Sequence, residues 1–79
     1  MITFRDGRSL TGTAVQMVKQ MQSVSFFGDR VAVGEYIDAV VERTLLCESV
    51  ALDVVGATDE LRCRSLVNEL VRHGLAVRS

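Results

Sequence analysis

The longest regular pattern of hydrophobic and polar positions in this chain runs from Val33 to Leu46. Apolar side chains and one threonine recur there at intervals of three and four residues, which places them on one side of an amphipathic helix: Val33, Ile37, Val40, Val41 and Thr44. Glu35, Asp38 and Glu42 fall on the opposite side and are called the acidic stripe below. The pattern predicts a central helix that supplies core on one face and negative charge on the other.

Towards its carboxyl end this predicted helix becomes apolar on more than one side, because Leu45, Leu46 and Cys47 follow one another. Two interpretations are open. Either another element covers this end of the helix, or the end contributes to an interface.

A period of two dominates the first residues, where Ile2 and Phe4 alternate with polar neighbours over residues 1–5, as in a half-buried strand. Asp6-Gly7 follows and supplies the positive φ angles of a tight hairpin turn, so residues 8–12 should return as a second strand with Leu10 facing inward. Because a strand begins at the first residue, we expect the chain to be a complete protein with its own initiator methionine.

A short helix of two to three turns should follow Gly12. Thr13 and Gln16 have the spacing of a capping box, in which each side chain bonds to the backbone N–H of the other residue. Ala14, Met17, Val18 and Met21 form its apolar face, and Gln16, Lys19, Gln20 and Gln22 lie outside. The methionines belong either to the core or to a plastic binding surface.

The last third of the chain predicts a strand, a helix and a closing strand. Val50, Leu52 and Val54 alternate as one face of a third strand. Thr58 is the expected cap of a helix over residues 59–73, and Gly74-Leu75 fits a Schellman stop. Its apolar face comprises Cys63, Leu66, Val67 and Leu70, and its outer face comprises Arg64, Asn68 and Arg72, called the basic stripe below. Residues 75–77 can add a short final strand.

These elements predict an α+β fold, a single small domain over residues 1–79 with the order ββααβα and a possible closing β-strand. The helices should pack on one face of a mainly antiparallel sheet. An apolar fraction of 48% and a charged fraction of 24% are typical of an ordered globular domain rather than a disordered chain.

The overall charge does not favour nucleic acid or a membrane as partner. The net charge of −1 gives no bulk attraction to nucleic acid or to an anionic membrane. Residues 31–57 are acidic, whereas residues 58–79 have a slight basic excess. This distribution indicates either an ordinary solvated surface or acidic and basic faces that pair between two molecules.

Candidate chemistry is sparse. Cys47 and Cys63 with one histidine are too few ligands for a structural zinc site, and no cofactor motif occurs. His73 has no recognisable nucleophile or carboxylate partner in the sequence, and acids occupy the Gly56 turn where a phosphate would bind. We therefore predict no catalytic, cofactor or metal site. Lacking a signal-like or membrane-spanning segment, the chain is expected in the cytoplasm with reduced thiols.

Phe26 and Phe27 stand together in the irregular segment 23–30, so either one is exposed for a partner or both are buried. We therefore favour a non-enzymatic binding module or adaptor that acts through protein contacts and self-associates. Its expected contact residues are Phe26, Phe27, Glu35, Asp38, Glu42, Arg64, Asn68 and Arg72. The alternative is a nucleic-acid-binding regulator that applies the basic stripe to phosphates and bases, with Arg62 and Arg78 assisting.

Overall fold

Over residues 1–23 and 31–78, which the structure describes, the computed structural model contains six elements. They are β1 (Ile2–Phe4), β2 (Ser9–Leu10), α1 (Ala14–Ser23), α2 (Val33–Glu48), α3 (Asp59–Arg72) and β3 (Ala76–Arg78). The order β-β-α-α-α-β confirms the small α+β fold expected from the sequence.

A three-stranded antiparallel sheet forms in the order β2-β1-β3, so the amino-terminal strand is central and the closing strand is present. Thr3 pairs with Ser9 on one side and with Val77 on the other. Ile2 and Ala76 are buried, whereas Ser9 and Val77 are exposed. Because side chains alternate between the faces of a strand, one face of the sheet contacts the helices and the other faces solvent.

The hairpin between β1 and β2 forms where Asp6-Gly7 predicted it, but with a different backbone. Gly7 has a φ of 92°, while Asp6 keeps an ordinary negative φ. The Gly7 N–H donates to the Phe4 carbonyl, and the Phe4 N–H donates to that of Arg8. A turn with a single left-handed glycine at its end therefore replaces the two positive φ angles expected for this dipeptide.

Local capping signals set several helix ends. The Thr13 N–H donates to Gln16 Oε1 and the Gln16 N–H to Thr13 Oγ1, which is the predicted capping box. Thr58 Oγ1 accepts from the Leu61 N–H at the start of α3. At its end, the Leu75 N–H donates to the Leu70 carbonyl and Gly74 has a φ of 75°, as in a Schellman motif.

The ends of α2 follow no such signal. Ala32 precedes its first turn without a side-chain cap, and Ser49 ends it in the left-handed region at a φ of 56°. From the sequence, Asp29 is a candidate for the cap of this helix because its side chain can accept backbone N–H groups, but it lies outside the described residues.

One core connects the three helices and the inner face of the sheet. Its most buried side chains include Ile2, Val18, Ile37, Leu66 and Cys63. The predicted apolar faces of all three helices contribute buried or half-buried residues to it.

Two side chains that we expected at or near solvent are buried. The sequence places Tyr36 at the border of the α2 apolar face, where its hydroxyl would reach water, but the residue is only 6% exposed. Gln22, expected on the outside of α1, is also 6% exposed, and its Nε2 donates to the Val31 carbonyl at 2.7 Å. A buried amide needs such a partner, so Gln22 ties the end of α1 to the chain that enters α2.

The third strand expected over Val50–Val55 does not form. Its alternation was correct, since Leu52 is buried while its neighbours Ala51 and Asp53 are exposed. However, side chains of α3 take the place of a neighbouring strand: the Asp53 N–H donates to Glu69 Oε1 and the Val55 N–H to Ser65 Oγ. Residues 50–55 are therefore half-buried but lie outside the sheet, and they are called the extended segment below.

Candidate functional site

The acidic stripe lies on the outer face of α2, and all three of its carboxylates are exposed. Asp38 accepts a hydrogen bond and ion pair from the Arg62 guanidinium of α3. From the sequence we found no ion-pair partner for Asp38 within the helix. The pairing with Arg62 was not predicted because the two residues are 24 positions apart. One of the three negative charges is therefore balanced within the chain.

Gly34 explains how Arg62 reaches this position. A Cβ atom at Gly34 would lie 3.0 Å from Arg62 Nη1. The glycine, which weakens the first turn of a helix, thus leaves room for the guanidinium to cross α2 beside Asp38.

Leu45 and Leu46 continue the same outer face towards the carboxyl end of α2. Since each residue advances a helix by about 100°, Glu42 projects between these two leucines when the helix is viewed along its axis. The leucines are 51% and 75% exposed and are called the leucine patch below. The sequence left two interpretations of this helix end: either another element covers it, or it contributes to an interface. Within residues 1–23 and 31–78, no element covers the leucines.

The basic stripe is exposed on α3, and each of its side chains has a partner within the chain. Arg64 pairs with Glu60 at 3.2 Å and Arg72 with Glu69 at 3.2 Å. Asn68 Oδ1 accepts from Arg78 Nη2 at 2.7 Å. The exposed Arg64–Glu60 pair contributes little to stability, whereas Glu69 belongs to a buried arrangement.

We predicted no role for Glu69 from the sequence, and in the structure this residue is only 7% exposed. Its Oε1 accepts the Asp53 N–H at 2.8 Å and lies 3.6 Å from His73 Nε2, while Oε2 accepts from Arg72. The backbone hydrogen bond from Asp53, helped by Arg72, lowers the pKa of the Glu69 carboxyl. This arrangement fastens the extended segment to α3. The contacts of Glu69 could not be predicted from the hydrophobic pattern, because we expected residues 50–55 to pair with a strand of the sheet.

The remaining candidate groups form no reaction centre in the part of the chain that the structure describes. There, no three His, Cys, Asp or Glu side chains come together as metal ligands. Cys63 is fully buried, and burial raises the pKa of its thiol, whereas Cys47 is exposed and both are free. His73, for which we expected no carboxylate partner, lies with its Nε2 3.6 Å from Glu69 Oε1.

Phe26 and Phe27, the aromatic pair expected to contact a partner, lie outside the described residues. Of the other expected contacts, the structure brings Asp38 to Arg62 of the same chain and does not bring the acidic stripe to the basic stripe. The leucine patch is an exposed surface that our choice of contact residues omitted.

No helix within residues 1–23 and 31–78 has the length and apolar character needed to cross a membrane. Comparison with protein-family models, curated proteins and solved structures gives no match. The exposed surfaces of this chain are therefore the features that bear on its function.

Proposed function

We propose that this protein is a non-enzymatic binding module that associates with a second copy of itself through the leucine patch. The observation that carries the proposal is the exposure of Leu45 and Leu46, at 51% and 75%, on a regular helix beside the acidic stripe. Exposed apolar side chains that are contiguous on one face are typical of interaction sites.

The symmetry expected of such a contact follows from the placement of charge on α2. A two-fold axis between Leu45 and Leu46 would pair the helices antiparallel, with Leu45 of each copy against Leu46 of the other. Glu42 would then face Ser49 of the second copy, and the two acidic stripes would extend away from each other. This arrangement buries the leucines without placing like charges together.

The strength of the contact can be bounded. Complete burial of a leucine contributes roughly 1.5–3 kcal/mol, so the exposed fractions of the two residues correspond to roughly 2–4 kcal/mol per copy. Two copies would supply at most roughly 4–8 kcal/mol, so the dissociation constant can be no smaller than about micromolar. Association costs reduce this free energy further, so we expect a reversible dimer rather than an obligate one.

Charge pairing between copies, the driving force expected from the sequence, has less support. Arg64 and Arg72 each have an acidic partner on α3, and Asp38 has Arg62. The nucleic-acid alternative depends on the same arginines and stays a prediction. The cytoplasmic assignment belongs to the proposal as well, because an exposed free thiol at Cys47 is suited to a reducing compartment.

Sedimentation equilibrium over a concentration series from about 10 μM to about 1 mM tests the proposal. We expect the wild-type protein to pass from monomer to dimer, and the double variant Leu45→Ser, Leu46→Ser to remain monomeric. Val77→Ser is the matched control, because Val77 is 67% exposed on the sheet and far from α2 in sequence.

The dimer should persist when salt is raised, since apolar burial is not screened whereas exposed charge pairs are. A wild-type protein that stays monomeric over the whole series would refute self-association. Equal loss of the dimer in Val77→Ser would show that the leucine patch is not the interface.

A further inference from the structure

A cleft of about 290 Å³ lies between α1, α3 and β3, away from the outer face of α2. Its walls come from all three elements: Ala14 and Met17 of α1, Arg64, Val67 and Asn68 of α3, and Arg78 of β3. A larger depression of about 520 Å³ beside α1 is shallower, and two of its glutamines already bond to the backbone of their own chain.

The floor of the cleft is apolar and its rim is basic. Met17 and Val67 are 7% and 2% exposed and belong to the core. Arg64 and Arg78 stand at the rim, and no acidic residue among those that the structure describes lines the cleft. An apolar floor beneath two guanidinium groups fits a ligand that has an anionic group at one end and a small apolar body.

A hydrogen bond to Asn68 positions the Arg78 guanidinium at the rim of the cleft. Its Nη2 donates to Asn68 Oδ1 at 2.7 Å, which leaves its other N–H donors available. With Oδ1 occupied as an acceptor, the remaining polar group of Asn68 is its amide nitrogen, which is a donor as well. Both side chains therefore offer donors to an oxyanion.

Arg64 is held weakly. Its partner Glu60 does not line the cleft, and both side chains of this pair are more than 60% exposed. A salt bridge of this kind exchanges readily with another anion. The first turn of α1, which begins at Ala14, carries no acidic residue, so its helix dipole adds positive potential on the same side.

We propose that this cleft binds a small organic oxyanion, with its carboxylate or phosphate between Arg64 and Arg78 and its apolar body against the half-buried Ala14 and the exposed edges of Met17 and Val67. The volume is at the lower limit of small-molecule sites, about 300 Å³, which restricts the body to about one ring or a short branched chain. The site does not require self-association, so its test is independent of the proposed function.

The test is a titration followed by amide chemical shifts in ¹⁵N-labelled protein, with benzoate, phenyl phosphate and the neutral benzamide as probes. We expect benzoate or phenyl phosphate to shift the amides of Ala14, Val67 and Asn68 in a saturable way, and benzamide to leave them unchanged. Inorganic phosphate should bind more weakly than phenyl phosphate, because it lacks the apolar body. The comparison of the two organic anions decides the head group.

Arg64→Gln and Arg78→Gln should each weaken binding about tenfold or more, as expected for loss of a hydrogen bond to a charged group. Arg43→Gln is the control, because Arg43 is an exposed arginine of α2 outside the cleft. Should Arg78→Gln disturb the sheet, Arg64→Gln alone decides the matter, since Arg64 lies on α3 and not on a strand. Equal shifts with benzamide, no saturable shift with either anion, or equal weakening by Arg43→Gln would overturn the proposal.

Discussion

Replacement of Gly56 by alanine tests how the extended segment is seated on α3. Gly56 has a φ of 152° and lies against the first turn of that helix. A Cβ atom there would lie 2.8 Å from the Arg62 nitrogen and 2.9 Å from the Leu61 carbonyl carbon, and both of these are backbone atoms. Neither can move by a simple side-chain rotation, so the segment itself would have to shift.

Two costs add in this variant. A non-glycine residue in this backbone region costs of order 1–3 kcal/mol, and overpacking against an immobile neighbour typically costs about 1–3 kcal/mol. We therefore expect Gly56→Ala to reduce the free energy of unfolding by roughly 2–6 kcal/mol. A chain of 79 residues has a total stability of only about 4–12 kcal/mol.

Urea unfolding followed by circular dichroism measures this loss, and Gly7→Ala is the matched control. Gly7 also has a positive φ, 92°, but a Cβ atom there would meet nothing within 4 Å. The control carries the conformational cost without the steric one. Equal destabilisation of the two variants would refute the close approach of Gly56 to α3.

Three further predictions concern stability. Because the pKa of Glu69 is lowered in the folded state, its stabilising contribution is present above the ordinary glutamate pKa and is lost as pH falls. Urea midpoints measured from about pH 6 to about pH 3.5 should therefore fall less steeply in Glu69→Gln than in wild type, and parallel curves would contradict this. Leu66→Ala should cost about 2–5 kcal/mol by urea unfolding because Leu66 is fully buried, whereas Leu61→Ala, at a residue 45% exposed, should cost clearly less; equal losses would contradict the packing. Thr58→Ala should cost about 1 kcal/mol in the same assay through loss of the α3 cap, and Thr58→Ser should restore most of it.

The features that the sequence predicted correctly depend on local chemistry. Thr13 and Gln16 satisfy each other's backbone across three residues, and Gly74 ends α3 because a left-handed residue is needed there. The periodicity of α3 placed Leu66 in the core for the same reason: helix geometry alone decides which residues share a face.

The features that the sequence did not predict depend on contacts distant along the chain. Alternation in residues 50–55 showed correctly that Leu52 faces inward, but it could not show whether the backbone partner was a strand or the side chains of Ser65 and Glu69. From the sequence we expected Arg62 only to assist the basic stripe, whereas in the fold it forms an ion pair with Asp38. The cleft was equally hidden, since residues 14 and 78 meet only in the folded chain.

A distance measured between the two copies of Cys47 tests self-association through the leucine patch most directly. Cys47 is exposed and adjoins Leu46, whereas Cys63 is fully buried, so a thiol-reactive spin label should attach selectively to Cys47. Antiparallel helices about 8–10 Å apart and paired about the leucines place the two labels roughly 20–35 Å from each other. The proposal predicts a pulsed electron paramagnetic resonance distance in this range at millimolar concentration, abolished by Leu45→Ser, Leu46→Ser; the absence of a dipolar signal, or one unchanged in that variant, would contradict it.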